Sequence, residues 1–196
     1  MSTSSHPAAS IVIVRHGETD WNIGRRIQGR TDIPLNERGR AQAGEIAELL
    51  AASGSWSRVV VSPLGRAVDT GRIIAGRLGL AEPEIDVAVT ERDFGPAEGL
   101  QVSEVTARWP GLDIPEAEGL LPLARRGARA FERHLREAPG SIVIAHGALI
   151  RAALSELSGE PAPRILNGEA WLLSAVSGAA APAVRRLGTP AMQHAL

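Results

Sequence analysis

The sequence predicts an α/β sandwich with parallel strands at its centre, and three observations carry that reading. One phrase is written twice, as Ser10-Ile11-Val12-Ile13-Val14-Arg15-His16-Gly17 and as Ser141-Ile142-Val143-Ile144-Ala145-His146-Gly147. An apolar β-branched run reads as a strand buried on both faces of a parallel sheet, and a polar residue plus glycine marks its carboxyl end. Strand and helix patterns also alternate for most of the length. Finally, 196 residues suit one domain with a sizeable core.

Taken in order, residues 1–9 are small and polar and read as a frayed start, with a single domain expected over 10–188 and a frayed end over 189–196. Strands are expected at 10–15, 57–61, 84–88, 141–145, 169–175 and 182–187, and helices at 36–52, 64–78, 100–108, 121–137 and 148–158. The first long stretch without a pattern is 16–35, directly after His16. Asn36 is a good N-cap for the helix that follows, and Gly54 a suitable stop. Pro63 comes just after a valine strand, where the next helix begins. The stretch 109–115 holds two prolines and a glycine and cannot be regular helix. Gly178 to Pro182 reads as the connection between the last two strands.

Composition narrows the chemistry. There are 21 basic against 22 acidic residues and no continuous basic stripe, so nucleic acid is not an expected partner. Pairs such as Arg25-Arg26, Arg125-Arg126 and Arg185-Arg186 read as solvated faces. The chain has no cysteine and no lysine. That removes disulfides, thiolate nucleophiles, zinc-thiolate sites, Schiff bases and the Walker-type phosphate loop. All of the basic side chains are therefore arginine, the residue best shaped for bidentate contact with phosphate or carboxylate. No segment has the apolar length of a membrane span and the start does not read as a signal peptide, so a cytoplasmic protein without membrane partners is expected.

Ligands of open α/β sheets bind at the carboxyl ends of the strands. The two repeated phrases would therefore bring two imidazoles to one crevice, with Arg15 beside the first. That outlines a site for an anion. His6, His134 and His194 look incidental.

Five blocks stand in order: Arg15-His16-Gly17-Glu18-Thr19-Asp20-Trp21-Asn22; Gln28-Gly29; Ser62-Pro63-Leu64-Gly65-Arg66-Ala67-Val68-Asp69-Thr70; Glu91 ahead of Phe94-Gly95 and Glu98-Gly99; and His146-Gly147. In that order the sequence resembles the histidine phosphatase superfamily, the phosphoglycerate mutase-like proteins. The resemblance implies a three-layer α/β/α sandwich around a mostly parallel sheet. It implies a phosphohistidine mechanism in which a neutral His16 nitrogen attacks phosphorus. Arg15, Arg66 and His146 would hold the phosphoryl oxygens, and Glu91 would protonate the leaving oxygen and then activate water. Asn22, Gln28 and Gly29 would help bind the phosphate. His16, Glu91 and His146 could in principle hold a metal, but the two arginines that the resemblance brings to the same place would repel a cation, so neither a metal nor another cofactor is expected.

The chain also departs from the family pattern. Ala97 stands where many relatives have an aromatic, which is expected to open space beside the leaving group. The usual Gly-Gly-Glu-Ser turn is Glu116-Ala117-Glu118-Gly119, with Glu118 matching the family glutamate. Arg30 stands where a tryptophan is common and could meet a second anionic group. The stretch between Gly99 and His146 is short beside the insertion usual in the mutases, which favours a phosphatase over a mutase. A non-catalytic phosphate sensor is the third reading, and it does not account for a nucleophile and a proton donor together. The expected substrate is a small phosphorylated metabolite: a phosphosugar, a phosphoglycerate derivative or the nucleotide-like ester of cobalamin synthesis. Residues 100–125, with Arg108, Trp109 and Leu112, are the expected seat of that choice. A strand around Trp171 at a sheet edge would offer a surface for a homodimer.

Overall fold

The burial of β1 (Ser10–Arg15) and β4 (Ser141–Ala145) on both faces organises the fold. In a computed structural model describing residues 9–179 and 181–188, these strands pair in parallel, with Val12 opposite Ile142 and Arg15 opposite Ala145. β2 (Arg58–Val61) lies parallel on the other side of β4, and β3 (Glu84–Ile85) parallel beyond it. β5 (Ala170–Ser174) runs antiparallel to β1, and β6 (Ala183–Gly188) antiparallel to β5. The sheet order is β3-β2-β4-β1-β5-β6.

Alternation along the strands separates two cores. Ile11, Ile13, Val143 and Ala145 pack with Leu123 and Phe131 of α5 (Leu120–Glu137) and Leu149 and Ile150 of α6 (Gly147–Ser158). Val12, Val14, Ile142 and Ile144 pack instead with Ile46 and Leu50 of α2 (Glu37–Ser53) and Ile74 of α3 (Gly65–Leu78). This is the expected three-layer α/β/α sandwich. Asn36 caps α2 by accepting from Gly39 N (2.8 Å), and Gly54 follows its end, as the sequence suggested. A third, smaller cluster joins Phe94, Ala97, Val105 of α4 (Val102–Arg108) and Ile114 at the carboxyl end of the sheet.

Several expectations are corrected. The stretch 16–35 contains a short helix, α1 (Asp20–Ile23), closed by a capping box between Thr19 and Asn22; four residues are too few to show a period. The strand expected over 84–88 stops at Ile85, and a 3₁₀ turn follows over Val87–Val89. Asp86 causes the change of direction: its side chain accepts from Ala88 N (2.9 Å) and from His134 Nε2 of α5 (2.8 Å). His134 is therefore a tie between layers and not incidental. β5 lies inside the sheet, between β1 and β6, and Trp171 belongs to the core, so the edge strand on which a homodimer was expected is absent from that position. Of the stretches expected to fray, 1–8 and 189–196 lie outside the described residues, with His6 and His194 among them, whereas the carbonyl of Ala9 accepts from Ala175 N (2.9 Å). Among the described residues no helix is long and apolar enough to cross a membrane.

α5 and α6 approach most closely at Gly127, where a Cβ would lie 2.8 Å from Ala153 Cβ and 3.0 Å from Leu149 Cδ1. Gly127→Ala gains about 1 kcal/mol of helix propensity but overpacks this contact at a cost of about 1–3 kcal/mol. Urea unfolding should show a net loss of stability. A gain would mean that the two helices separate freely.

Candidate active site

The parallel register delivers three side chains to one edge. His16 follows β1 and its N–H bonds to Ala145 O (3.0 Å); Ser62 follows β2 and its N–H bonds to Ile144 O (3.1 Å); His146 follows β4 and forms the N-cap of α6. The His16 and His146 rings lie 5.1 Å apart. Gly17 is required by close approach, since a Cβ there would lie 2.3 Å from Gly39 O of α2. Its N–H is held by Thr70 Oγ1 of α3 (3.1 Å). Asn167 Nδ2 and Gly168 N donate to His16 O at 3.2 and 3.3 Å, so the backbone under His16 is tied from both sides.

Hydrogen bonding decides where the imidazole protons sit. His16 Nδ1 lies 2.6 Å from Gly17 O, and a carbonyl only accepts, so Nδ1 carries the proton and Nε2 the lone pair. Arg66 Nε donates to that Nε2 at 3.3 Å. Burial, then Arg66 and Arg15, hold the His16 imidazole well below the ordinary histidine value. Burial likewise lowers His146, with Arg66, His16 and Arg15 adding to it. Both rings are 2% exposed or less. His16 thus presents a neutral nitrogen lone pair. His146 Nε2 meets Ser62 Oγ at 2.7 Å; Ser62 is fully buried, its Oγ accepts from Leu64 N (3.3 Å), and its hydroxyl proton has no other acceptor among the described residues, so it is donated to His146. The His146 proton is then on Nδ1, which is buried without a partner among the described residues. A donor so placed suits an incoming phosphoryl oxygen.

Two guanidiniums flank these rings. Arg66 is 1% exposed and donates through Nη1 to Thr31 O (2.8 Å) and through Nη2 to Gly29 O (2.7 Å), so part of its fork holds the loop that carries Gln28 and Gly29. Arg15 donates from Nη1 to Ile165 O (2.8 Å), and its Nε is buried without a partner among the described residues. Burial brings Arg15 down to about 10, against the pull of Glu91, and it remains a cation at neutral pH. Gly29 has φ of 56°, and a Cβ on it would strike Glu98. Glu98 holds this loop by accepting from Arg30 N (2.8 Å), Thr31 N (2.9 Å) and Phe94 N (3.2 Å).

Glu91 is 8% exposed and stands at the N-terminus of α6, accepting from Leu149 N through Oε1 (3.0 Å) and from Ala148 N through Oε2 (3.1 Å). Arg126 positions the segment leading to it. Its Nη1 donates to Ala88 O (2.9 Å) and Thr90 O (2.8 Å), and it clasps Glu118 at 2.9 and 2.8 Å.

All of the expected site residues except His146 line one cavity of about 370 Å³, and the His146 ring is buried next to that of His16. Asn22 Oδ1 is used by Thr19 N (3.0 Å) and Asn167 Nδ2 (3.1 Å), which leaves the Asn22 amide for the cavity. Other expectations fail. Arg30 turns to Asp93 (3.3 Å) and is not in the lining. Ala97 is fully buried in the small apolar cluster and opens no space. Of residues 100–125 only Val102 reaches the cavity; Arg108 stacks on Trp109, which packs with Leu112 in that cluster. The paired arginines are not simply solvated, since Arg26 donates to Gly99 O (2.7 Å) and Arg186 pairs with Glu169 (2.9 Å), as Arg126 does with Glu118. Asn167, Arg25, Arg151 and Arg164 were not anticipated. Nothing in the sequence distinguishes Asn167 from an ordinary turn residue before glycine, and the arginines lie outside the motif blocks or beside them.

Two outcomes follow. Ser62→Ala removes the group that sets the His146 tautomer, and kcat/KM should fall about 10- to 100-fold with Nδ1–H no longer the single form in nitrogen NMR. An unchanged tautomer would remove Ser62 from the site. Both imidazoles stay neutral in the folded chain where an unfolded histidine, with its ordinary value of 6.5, takes up a proton. The unfolded state therefore binds more protons below about pH 6.5, and stability should fall with pH by up to about 1.4 kcal/mol per unit for each ring. Urea midpoints from about pH 7 to about pH 5 should show this slope, and His146→Ala should flatten it.

Comparison with known proteins agrees with this geometry. Residues 11–175 match the model of the histidine phosphatase superfamily, branch 1. The chain is 42% identical over 152 residues to the uncharacterized phosphatase PhoE of Bacillus subtilis, covering 76% of this chain and 78% of that one. It is 37% identical over 175 residues to phosphoglycerate mutase-like protein 4 of Arabidopsis thaliana, covering 81% and 76%. A mycobacterial glucosyl-3-phosphoglycerate phosphatase, solved with VO3, superposes with a TM-score of 0.77 at 29% identity over 91% of this chain and 97% of its own. Two histidines on adjacent parallel strands, the arginines beside them and a match running through most of the sheet give one answer: this chain is a histidine phosphatase and belongs to branch 1 of that superfamily.

Proposed function

We propose that the protein hydrolyses a small phosphomonoester, without a metal, through a phosphohistidine intermediate. The observation that carries this reading is the His16 Nε2 lone pair, held in a neutral imidazole by Gly17 O and set between Arg66 and Arg15. Nε2 forms a bond to phosphorus as the bond to the ester oxygen breaks. Charge on the equatorial oxygens is met by Arg66, Arg15 and His146 Nδ1, with the Asn22 amide and the Gln28-Gly29 loop at the side. Glu91, on the same cavity wall as α6, gives its proton to the leaving oxygen, and the alcohol departs. Glu91 then takes a proton from water as its oxygen attacks phosphorus, which releases phosphate and restores His16.

Guanidiniums converging on the phosphoryl position supply the positive charge that a metal ion brings elsewhere, and they would repel one. Hydrolysis is favoured over transfer to a second alcohol because, of residues 100–145, only Val102 touches the cavity, so this segment makes no cover against water.

Phosphate release from a panel of phosphomonoesters, with chelator present, tests the reading. The wild type should turn over, and His16→Ala should lose activity by about a thousandfold or more, since it removes a covalent nucleophile. Radiolabel from substrate should stay on wild-type protein quenched in alkali. Residual activity within about tenfold of wild type would exclude His16 as nucleophile.

A further inference from the structure

The cavity lining contains more positive charge than one phosphoryl group uses. Six arginines line it, Arg15, Arg25, Arg26, Arg66, Arg151 and Arg164, and Glu91 is the only acid among the described residues there. Arg15 and Arg66 stand at His16, and Arg26 is tied to Gly99 O. Arg25, Arg151 and Arg164 remain, exposed and without an acidic partner among the described residues.

Arg25 is held by its backbone and Arg151 by its side-chain stem, while Arg164 adjoins a residue that is itself tied. Arg25 has φ of 49°, in the left-handed region that favours glycine or asparagine, and its carbonyl accepts from Val102 N (2.8 Å). Arg151 lies one turn along α6 from Ala148, and its Nε donates to Ala162 O (3.1 Å), joining α6 to the segment that carries Arg164. Arg164 precedes Ile165, whose carbonyl receives Arg15, and lies close enough to Arg15 to repel its charge. The cavity that these arginines share with His16 also has an apolar lining, formed by Trp21, Ile27, Phe94, Val102 and Ile165. Apart from His16 at the phosphoryl end, Asn22, Gln28 and the Trp21 indole, no uncharged hydrogen-bonding side chain among the described residues lines the cavity. A polyhydroxylated sugar would leave its hydroxyls unpaired against such a wall, whereas a short carbon skeleton ending in an oxyanion would not.

Resting on the phosphatase reading of the site, we propose that Arg25, Arg151 and Arg164 form a second anion subsite, and that the substrate is a compact phosphomonoester whose alcohol part carries a carboxylate or a second phosphate. Arg30, where the sequence alone suggested such a contact, faces away from the cavity.

Kinetics and binding test this together. Wild type should hydrolyse 2-phosphoglycolate with kcat/KM at least about tenfold above that for ethyl phosphate, mostly through KM. Arg164→Gln and Arg151→Gln should each lower kcat/KM for 2-phosphoglycolate about tenfold more than for ethyl phosphate. Arg72→Gln, on the far surface and paired with Glu82, serves as a control for net charge and should change neither. Calorimetry with phosphonoacetate, methylenediphosphonate and ethylphosphonate measures the subsite without turnover, and separates the carboxylate from the second phosphate. Tighter binding of either dianionic-plus-anion probe, lost in Arg164→Gln, supports the subsite even if no ester is hydrolysed, an outcome that would sink the phosphatase reading alone. Equal affinity for ethylphosphonate and both charged probes, or a preference that survives Arg151→Gln and Arg164→Gln together, overturns the subsite and leaves hydrolysis untouched.

Discussion

The site depends on the parallel register between β1 and β4. Because Arg15 sits opposite Ala145, the next residue on each strand is a histidine, and the two rings come within 5.1 Å although the chain between them spans most of the domain. A slip of one residue would turn one ring into the opposite helical layer. The register is held by apolar side chains buried on both faces, so the positions of the two histidines are set by the hydrophobic core. The same strands end at the amino terminus of α6, where Glu91 docks. Glu91 is thereby referenced to the same frame.

Arginine does much of the remaining positioning. Arg15 holds Ile165 O, Arg26 holds Gly99 O, Arg66 holds Gly29 O and Thr31 O, and Arg126 holds Ala88 O and Thr90 O. Arg92 holds Glu118 O and Leu112 O in the same way. A planar fork with several donors can span two carbonyls, which a single ammonium cannot do with fixed direction. In a chain without lysine, loops that would otherwise need their own secondary structure are shaped by guanidinium side chains. Arg15, Arg26 and Arg66 also line the cavity, so loop geometry and positive charge there are supplied by the same residues.

The parts of the fold that could be read from the sequence are those with a period or a chemical punctuation mark. The valine and isoleucine runs, the Asn36 cap and the Gly54 stop fall where expected; His16, Arg66 and Glu91, whose neighbours in sequence form distinctive blocks, line one cavity, with His146 packed against His16. Direction was harder to read. Sequence spacing says that Arg30 lies near the site, but the left-handed Gly29 before it and Glu98 beneath it turn the side chain toward Asp93. Ala97 looked like a gap beside the substrate, yet a neighbouring cluster closes over it. Arg151 and Arg164 reach the cavity only because α6 and the segment after it fold back onto β1, a tertiary fact with no local signature.

The two sheet edges are unlike the interior. β3 contributes two residues, and beside it Arg58 faces Glu84; β6 carries Arg185 and Arg186 across its middle. An edge this short, or this charged, offers a poor template for a foreign strand. The hydrophobic strands that bring the histidines together, which would be aggregation-prone if exposed, are thus flanked on both sides by strands that resist pairing with another chain.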